Sequence, residues 1–236
     1  MEQIDNFCDY FEERIGVAAE VSDKVIKKTA FMIIIDALSI AKYGSYVGTK
    51  ERFTGIIREY SDWKDCGRIS LAQLLLMLTD DTNTISSRED TPLVTHVKNG
   101  LRDWTSGHIF DFTKDPFPFE LEHVPRSQAE QSKVDNALHF NLFFDYRNSL
   151  VHEAKEPGYG MELSSDGARP YYHSMSSMDE SASDYTSRSW EPVYPADFIA
   201  SVARTVLNNV RTYLSEFQIN PYSQYKFGSI WRQKAR

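Results

Sequence analysis

Apolar residues recur at helical spacing along most of this chain, so the sequence predicts a mainly helical protein. The clearest predicted helices cover residues 2–19, 23–43, 49–63 and 195–217. Gly44 provides a natural end for the second, and Thr49 is a candidate N-cap for the third. The last carries one apolar stripe, made by Phe198, Val202, Val206, Val210, Tyr213 and Phe217. Stripes of this kind predict helices that bury one apolar face each.

Three further helix starts are marked by capping residues. Ser70 and Ser127 each have Gln or Glu three positions later, which is the capping-box pattern. Thr91 precedes Pro92, as an N-cap with proline at the first helical position, in a helix predicted to reach about residue 105. The box at Ser127 leads into the most apolar helix of the chain, predicted to run from about residue 134 to 155.

Residues 157–192 differ in character because they are rich in Gly, Pro and Ser. Segments 159–163 and 170–175 flank Asp166-Gly167, which predicts that they pair as a small β-hairpin, and 176–189 has the composition of a mobile polar loop. No composition change marks a domain boundary elsewhere. We therefore expect a single helical domain over residues 1–236 with this β-hairpin and Ser-rich insertion inside it.

The candidate chemistry lies at the end of the most apolar helix, where Arg147, Asn148 and His152 follow one another. An arginine holds phosphate with a planar fork of donors, and a histidine transfers protons near neutral pH. This Arg-Asn-x3-His segment resembles the signature of HEPN domains, a helical family that includes many metal-independent ribonucleases. The resemblance implies a HEPN-like helical bundle, and we expect that fold here.

The spacing of the motif poses a geometric problem, since Arg147 and His152 lie roughly 140° apart on a regular helix. They can converge only if the helix loosens near Leu150 or if a second chain completes the site. The resemblance favours a homodimer, because HEPN proteins pair these motifs across a two-fold axis. A plain alternative is that His152 and Arg147 merely stabilise a helix C-terminus.

The resemblance also assigns roles. His152 would act as general acid or base on RNA, Arg147 would bind the scissile phosphate, and Asn148 would support them. Asp36, on an earlier helix, would pair with Arg147, although an exposed edge shared with Thr29 and Ser39 explains this residue as well.

Asp145 lies with Asn141, Asn148 and His152 on one polar stripe of the motif helix, from which it would support the site. Such a stripe is more typical of an ordinary solvated face.

Charge and composition narrow the expected partners. The net charge is −8, which argues against a dedicated high-affinity nucleic-acid binder, but residues 24–68 hold nine Lys/Arg against five Asp/Glu. Within that segment Lys24, Lys27 and Lys28 are the candidate RNA contacts, although a solvated face explains them as well. Residues 157–192 are acidic, with two Arg against six acids.

Other classes of site find no support in the sequence. The histidines lack metal-ligand spacing, and two distant cysteines predict neither a disulfide framework nor a zinc site, so we expect no metal and no cofactor. The longest apolar run ends at Asp36, and residues 1–5 lack a signal-peptide start, so we expect a cytoplasmic protein that does not span a membrane.

Two functions remain as hypotheses. The first is a metal-independent endoribonuclease of a defence, stress or toxin system, acting as a homodimer on RNA, with a possible antitoxin or other protein partner. The second is a non-catalytic HEPN-like module that binds a protein or nucleotide. In an active ribonuclease, Arg147 and His152 approach each other in an open, basic cleft; in the second case they are splayed or covered.

Overall fold

A computed structural model describes residues 2–79, 90–105, 109–158, 162, 169–176 and 188–226. These residues form two compact units, the first made of Met1–Asp62 with Ile199–Arg236 and the second of Trp63–Phe198. The boundary falls inside the last helix, so the second unit is one continuous stretch of chain and the first is made of two stretches. The predicted single domain over residues 1–236 stays a prediction.

The regular elements in the described part of the first unit are all helices. It contains α1 (Glu2–Ala19), α2 (Lys24–Tyr43), α3 (Thr49–Tyr60) and most of α8 (Ala196–Glu216). These helices lie within a residue or two of the predicted ones, apart from α3, which ends at Tyr60. Each buries one apolar stripe, as amphipathic helices do. The buried residues include Phe7, Phe31, Met32, Ile35, Leu38, Phe53, Ile57, Val206 and Val210.

The ends of α2 and α3 have clear local causes. The Asp23 side chain accepts a hydrogen bond from the Ile26 N–H at 2.9 Å and thereby caps α2. Gly44 follows α2 with φ +85°, a conformation that favours glycine. Gly48 occupies the N-cap position of α3, so the predicted cap Thr49 is instead the first helical residue.

The second unit has shorter helices, namely α4 (Leu71–Thr79), α5 (Pro92–Gly100), α6 (Gln128–Asn136) and α7 (His139–Asn148). The caps Thr91 and Ser127 are confirmed, since their side chains accept from the N–H groups of Val94 and Glu130. Helix α5 ends at Gly100, earlier than predicted. A buried apolar cluster includes Ile69, Leu71, Leu74, Leu93, Val97, Leu121, Val124 and Val134.

The prediction of one helix over residues 134–155 is wrong in one respect, because the helix is interrupted between the end of α6 at Asn136 and the start of α7 at His139. The Ser70 N–H donates to the Ala137 carbonyl at 2.9 Å, and the His139 N–H donates to the Arg68 carbonyl at 3.0 Å. In a continuous helix, the Ala137 carbonyl and the His139 N–H would form hydrogen bonds within that helix. Here both groups bond to residues 68–70 instead. The Ser127 capping box therefore starts a separate helix, and α7 alone carries the motif.

A small antiparallel sheet completes the described part of the second unit. Its strands are β1 (Phe110–Asp111), β2 (Tyr171–Ser176) and β3 (Arg188–Val193), in the order β1-β2-β3. In this register Tyr172 lies opposite Phe110 on one side and Pro192 on the other. Strand β2 matches the predicted strand at 170–175, whereas its predicted partner, 159–163, lies outside the described residues except for Glu162.

The described residues thus form a mainly helical structure with a small antiparallel sheet, as the sequence predicts at that level. In the portion of the chain described, we find no helix with the length and apolar character required to cross a bilayer.

Candidate functional site

The end of α7 changes geometry at the motif. After Asn148 the chain continues as a π-helical turn over Ser149–Glu153, and Ala154 then ends it in the left-handed region at φ +54° and ψ +32°. A π turn closes hydrogen bonds between residues five apart, so side chains at that spacing approach one face. Arg147 and His152 are five residues apart, and the turn is the loosening near Leu150 that their convergence requires.

The side chains of Asn148 and His152 consequently both contact the same atom, Arg147 Nη1. Arg147 Nη1 donates to Asn148 Oδ1 at 3.0 Å and lies 3.3 Å from His152 Nε2. A guanidinium carries only donors, so the second contact is a hydrogen bond when the imidazole is neutral and accepts at Nε2. The remaining imidazole proton is then on Nδ1. The geometry therefore places an ordered arginine beside a histidine, and the contact between them is a hydrogen bond in the Nδ1-protonated tautomer.

Solvent reaches these three side chains unequally. Arg147 is only 8% exposed, Asn148 is half-buried and His152 is exposed. A mostly buried arginine loses little further conformational freedom on binding, since its long side chain is already ordered. The exposed imidazole is the member that a ligand can reach without rearrangement.

A pocket of about 640 Å³ lies next to the motif. Its lining residues are Asp145, Asn148, Ser149, Glu153, Lys155, Glu156, Pro157 and Gly158. Lys155 Nζ pairs with Glu153 Oε2 at 2.8 Å, so the one lysine of the lining is already compensated. Burial, followed by the charge of Glu156, raises the pKa of the Tyr146 hydroxyl. The pocket lining is acidic, and Asn148 is the motif residue that contributes to it.

The supporting carboxylates predicted for the site lie in different places. Asp145 is exposed and lines the pocket, one turn before Asn148. Asp36 belongs to the first unit, where Oδ1 accepts from Arg52 Nη2 at 3.2 Å in a largely buried ion pair. The predicted pair between Asp36 and Arg147, which belong to different units, stays a prediction.

The three lysines predicted to contact RNA do not form one exposed patch. Lys24 is exposed and Lys27 is half-buried, but the Lys28 side chain is fully buried. Lys28 precedes Phe31, Met32 and Ile35 on the core face of α2, which the helical spacing alone indicates. A surface contact with RNA is therefore wrong for Lys28 in this structure and stays a prediction for Lys24 and Lys27.

A second polar cluster, which the sequence did not reveal, lies inside the second unit. Asp115 Oδ2 lies 2.8 Å from His139 Nε2 and accepts from Tyr172 Oη at 2.5 Å, while its Oδ1 accepts from the Leu71 N–H at 3.0 Å. Tyr172 Oη also lies 2.7 Å from Ser70 Oγ. Asp115, His139, Tyr172 and Ser70 are all buried.

This buried cluster connects segments that are far apart in the chain. It joins the start of α4, the turn before Pro116, the start of α7 and strand β2. Phe112 stacks on the His139 ring with centroids 3.9 Å apart, which further encloses the imidazole. Such a network holds the start of the motif helix in place, and within the described part of the chain each of its four residues is at most 1% exposed. We assign it a structural role.

No group of three or more His, Cys, Asp or Glu side chains in the described ranges is arranged to hold a metal ion. Cys8 and Cys66 are both buried, and neither takes part in a disulfide.

Comparisons with protein-family models, with curated proteins and with solved structures gave no match for this chain.

Proposed function

We propose that this protein is a HEPN-like, metal-independent endoribonuclease, with His152 and Arg147 as its catalytic residues. The observation that carries the proposal is the π turn, which sets Arg147 Nη1 3.3 Å from His152 Nε2 at the solvent-exposed end of α7. A general base beside a fixed phosphate-binding cation is the arrangement that transphosphorylation of RNA requires.

The reaction follows from these residue types. A scissile phosphate would replace His152 as the acceptor for Arg147, which frees Nε2 to take the proton of the ribose 2′-hydroxyl. The 2′-oxygen then forms a bond to phosphorus as the bond from phosphorus to the 5′-oxygen breaks. Arg147 stabilises the added negative charge, and Asn148 holds the guanidinium in position. The products are a 2′,3′-cyclic phosphate and a 5′-hydroxyl, which needs one proton.

A second copy of the chain would supply that proton. One neutral imidazole can accept the 2′-hydroxyl proton but cannot donate another proton in the same step. In the HEPN arrangement two motifs face each other, so His152 of the second copy, in its protonated form, would act as general acid. The proposal therefore includes a homodimer acting on RNA. The defence, stress or toxin role, any antitoxin and a cytoplasmic location belong to the same proposal.

The acidic pocket favours a second candidate function, a non-catalytic HEPN-like module. Asp145, Glu153 and Glu156 beside the motif would repel a polyanion, whereas they would attract a basic segment of a protein partner. In that case the pairing of Arg147 with His152 serves to hold the end of α7 rather than to bind phosphate.

Cleavage of a mixed RNA pool in EDTA separates these functions. The comparison uses the purified chain, His152→Ala and the control His123→Ala, which removes another exposed histidine of the same unit. If the protein is the proposed endoribonuclease, the wild type and the control produce cyclic-phosphate ends, and the cleavage rate of His152→Ala is lower by at least about 100-fold. Equal cleavage by His152→Ala, or a requirement for added metal, would overturn it. A folded wild type inactive on every RNA tested would favour the binding module.

A further inference from the structure

Three tyrosine rings of the first unit surround one ammonium group. Lys42, in the last turn of α2, places Nζ 3.3 Å from the ring centroid of Tyr213, 5.3 Å from that of Tyr60 and 5.4 Å from that of Tyr43. All three distances lie within the range of about 6 Å at which a cation is attracted to an aromatic face. We call Tyr43, Tyr60 and Tyr213 the tyrosine cage.

The rings of the cage come from different elements and are held in place. Tyr60 and Tyr213 have centroids 6.1 Å apart and ring planes at 85°, so they form two perpendicular walls. The Tyr60 carbonyl accepts from Asn209 Nδ2 at 2.9 Å, which ties the end of α3 to α8. Phe217 lies against Tyr213 with centroids 5.0 Å apart. The cage is therefore built before any ligand arrives.

The electrostatics of the cage suit a cation. Tyr43 Oη donates to Glu59 Oε2 at 2.9 Å, which puts a carboxylate at the edge of the cage. Burial, and then Glu59, raises the pKa of Tyr43, so this ring stays a neutral phenol at physiological pH. A neutral ring keeps its negative face directed at the cation, and the carboxylate adds a longer-range attraction.

The cage is also open to solvent in part. Tyr43, Tyr60, Tyr213 and Lys42 are all half-buried, so none of them belongs to the sealed core. One ring suffices for an ordinary surface cation–π pair, whereas here three rings lie around one nitrogen, and one of them also bonds to the Glu59 carboxylate. A lysine side chain is a flexible four-carbon stem and can leave such a position without any change in the backbone.

We propose that the tyrosine cage is a binding site for a methylated or quaternary ammonium group, and that Lys42 occupies it as an internal ligand in the free protein. A primary ammonium is strongly hydrated, so its removal from water offsets much of what the rings supply. Methyl groups reduce that hydration and make contact with the rings, as in known cages for quaternary ammonium groups. An external methylated ammonium therefore competes with Lys42.

The test removes the internal ligand and measures what takes its place. Binding of tetramethylammonium is measured by NMR for the wild-type chain, Lys42→Ala, Lys42→Gln and the control Lys50→Ala, which removes an exposed lysine of α3. Both Lys42 variants are expected to bind at least about tenfold more tightly than wild type, and Lys50→Ala should match wild type. Two variants at position 42 guard against a folding defect in either one.

Further arms test the chemistry of recognition. In the Lys42→Ala background, Tyr213→Leu should weaken binding, whereas Tyr213→Phe, which keeps an aromatic face, should retain it. Choline should bind more tightly than 3,3-dimethylbutan-1-ol, its uncharged isostere. Choline and trimethyllysine, compared directly, distinguish a small-molecule ligand from a methylated protein as the source of the ammonium group.

Several results would overturn the proposal. Failure of both folded Lys42 variants to bind tetramethylammonium would show that the tyrosines only hold α2, α3 and α8 together. Equal affinity for choline and its uncharged isostere, or binding that survives Tyr213→Leu, would exclude the cage. Equal binding by wild type and the Lys42 variants would exclude Lys42 as an internal ligand.

Discussion

Removal of one hydroxyl from the buried cluster tests whether that network holds the second unit together. Tyr172→Phe keeps the ring, which is fully buried, and deletes the group that bonds to Asp115 at 2.5 Å and contacts Ser70 at 2.7 Å. A hydrogen bond to a charged group contributes about 1.5–3 kcal/mol to stability. His139 and the Leu71 N–H remain on Asp115, so the carboxylate keeps two partners and the loss should stay within that range.

Urea denaturation followed by circular dichroism measures this change in the free energy of unfolding. The matched control is Tyr46→Phe, since Tyr46 is 82% exposed and its hydroxyl removal should cost less than about 0.5 kcal/mol. We expect Tyr172→Phe to unfold at clearly lower urea with an unchanged slope. If the two variants have the same unfolding free energy within about 0.5 kcal/mol, the network does not stabilise the unit as described.

Two other predictions concern pH and backbone conformation. Burial raises the pKa of three tyrosines in the described part of the second unit, so they stay protonated in the folded protein above pH 10 while the unfolded chain releases their protons. Stability should therefore fall as pH rises above about 10. They are Tyr146, Tyr172 and Tyr194. Ultraviolet titration should show these phenols ionising together with unfolding, and free ionisation in the folded state would contradict the assignment. Gly158→Ala should destabilise by about 1–2 kcal/mol, because Gly158 has φ +71° and the new Cβ would lie 2.5 Å from Glu191 Oε2. Gly16→Ala, inside α1 with no atom within 4 Å of the new Cβ, should stabilise the protein instead, and two changes of the same sign would refute the reasoning.

The elements that the sequence predicts well are those whose causes are local. Helices α1, α2 and α8 each carry a long apolar stripe, and their periodicity places them within a residue or two. The caps at Thr91 and Ser127 act within three residues of themselves, so a short pattern is enough to locate them. Strand β2 lies within one residue of the segment 170–175 that the turn at Asp166-Gly167 indicates.

The features that escape the sequence depend on distant partners. The break between α6 and α7 exists because residues 137–139 bond to residues 68–70. The cluster around Asp115 joins residues 24 and 57 positions away, and a lone aspartate before a proline gives no sign of that. The burial of Lys28, by contrast, has a local cause. Its position along α2 puts it on the same face as the buried residues Phe31 and Ile35, but a charged residue is normally expected at the surface.

The candidate site falls between these extremes. The residues Arg147, Asn148 and His152 stand out from their types and order, and the need for a loosened helix follows from their spacing. The π turn itself is a local distortion that no propensity of Ser149–Glu153 predicts. Arg147 and His152 would lie on different faces of a regular helix, and because of the π turn they form a hydrogen-bonded pair.

The most direct test of that pair is the tautomer of His152, read from the nitrogen resonances of uniformly ¹⁵N-labelled protein at a pH where the ring is neutral. A ring that accepts from Arg147 at Nε2 must carry its proton on Nδ1, and Arg147→Ala should abolish this preference. The exposed His123 is the reference within the same spectrum. A neutral His152 protonated at Nε2, or one that Arg147→Ala leaves unchanged, would contradict the Arg147–His152 site on which the proposed ribonuclease depends.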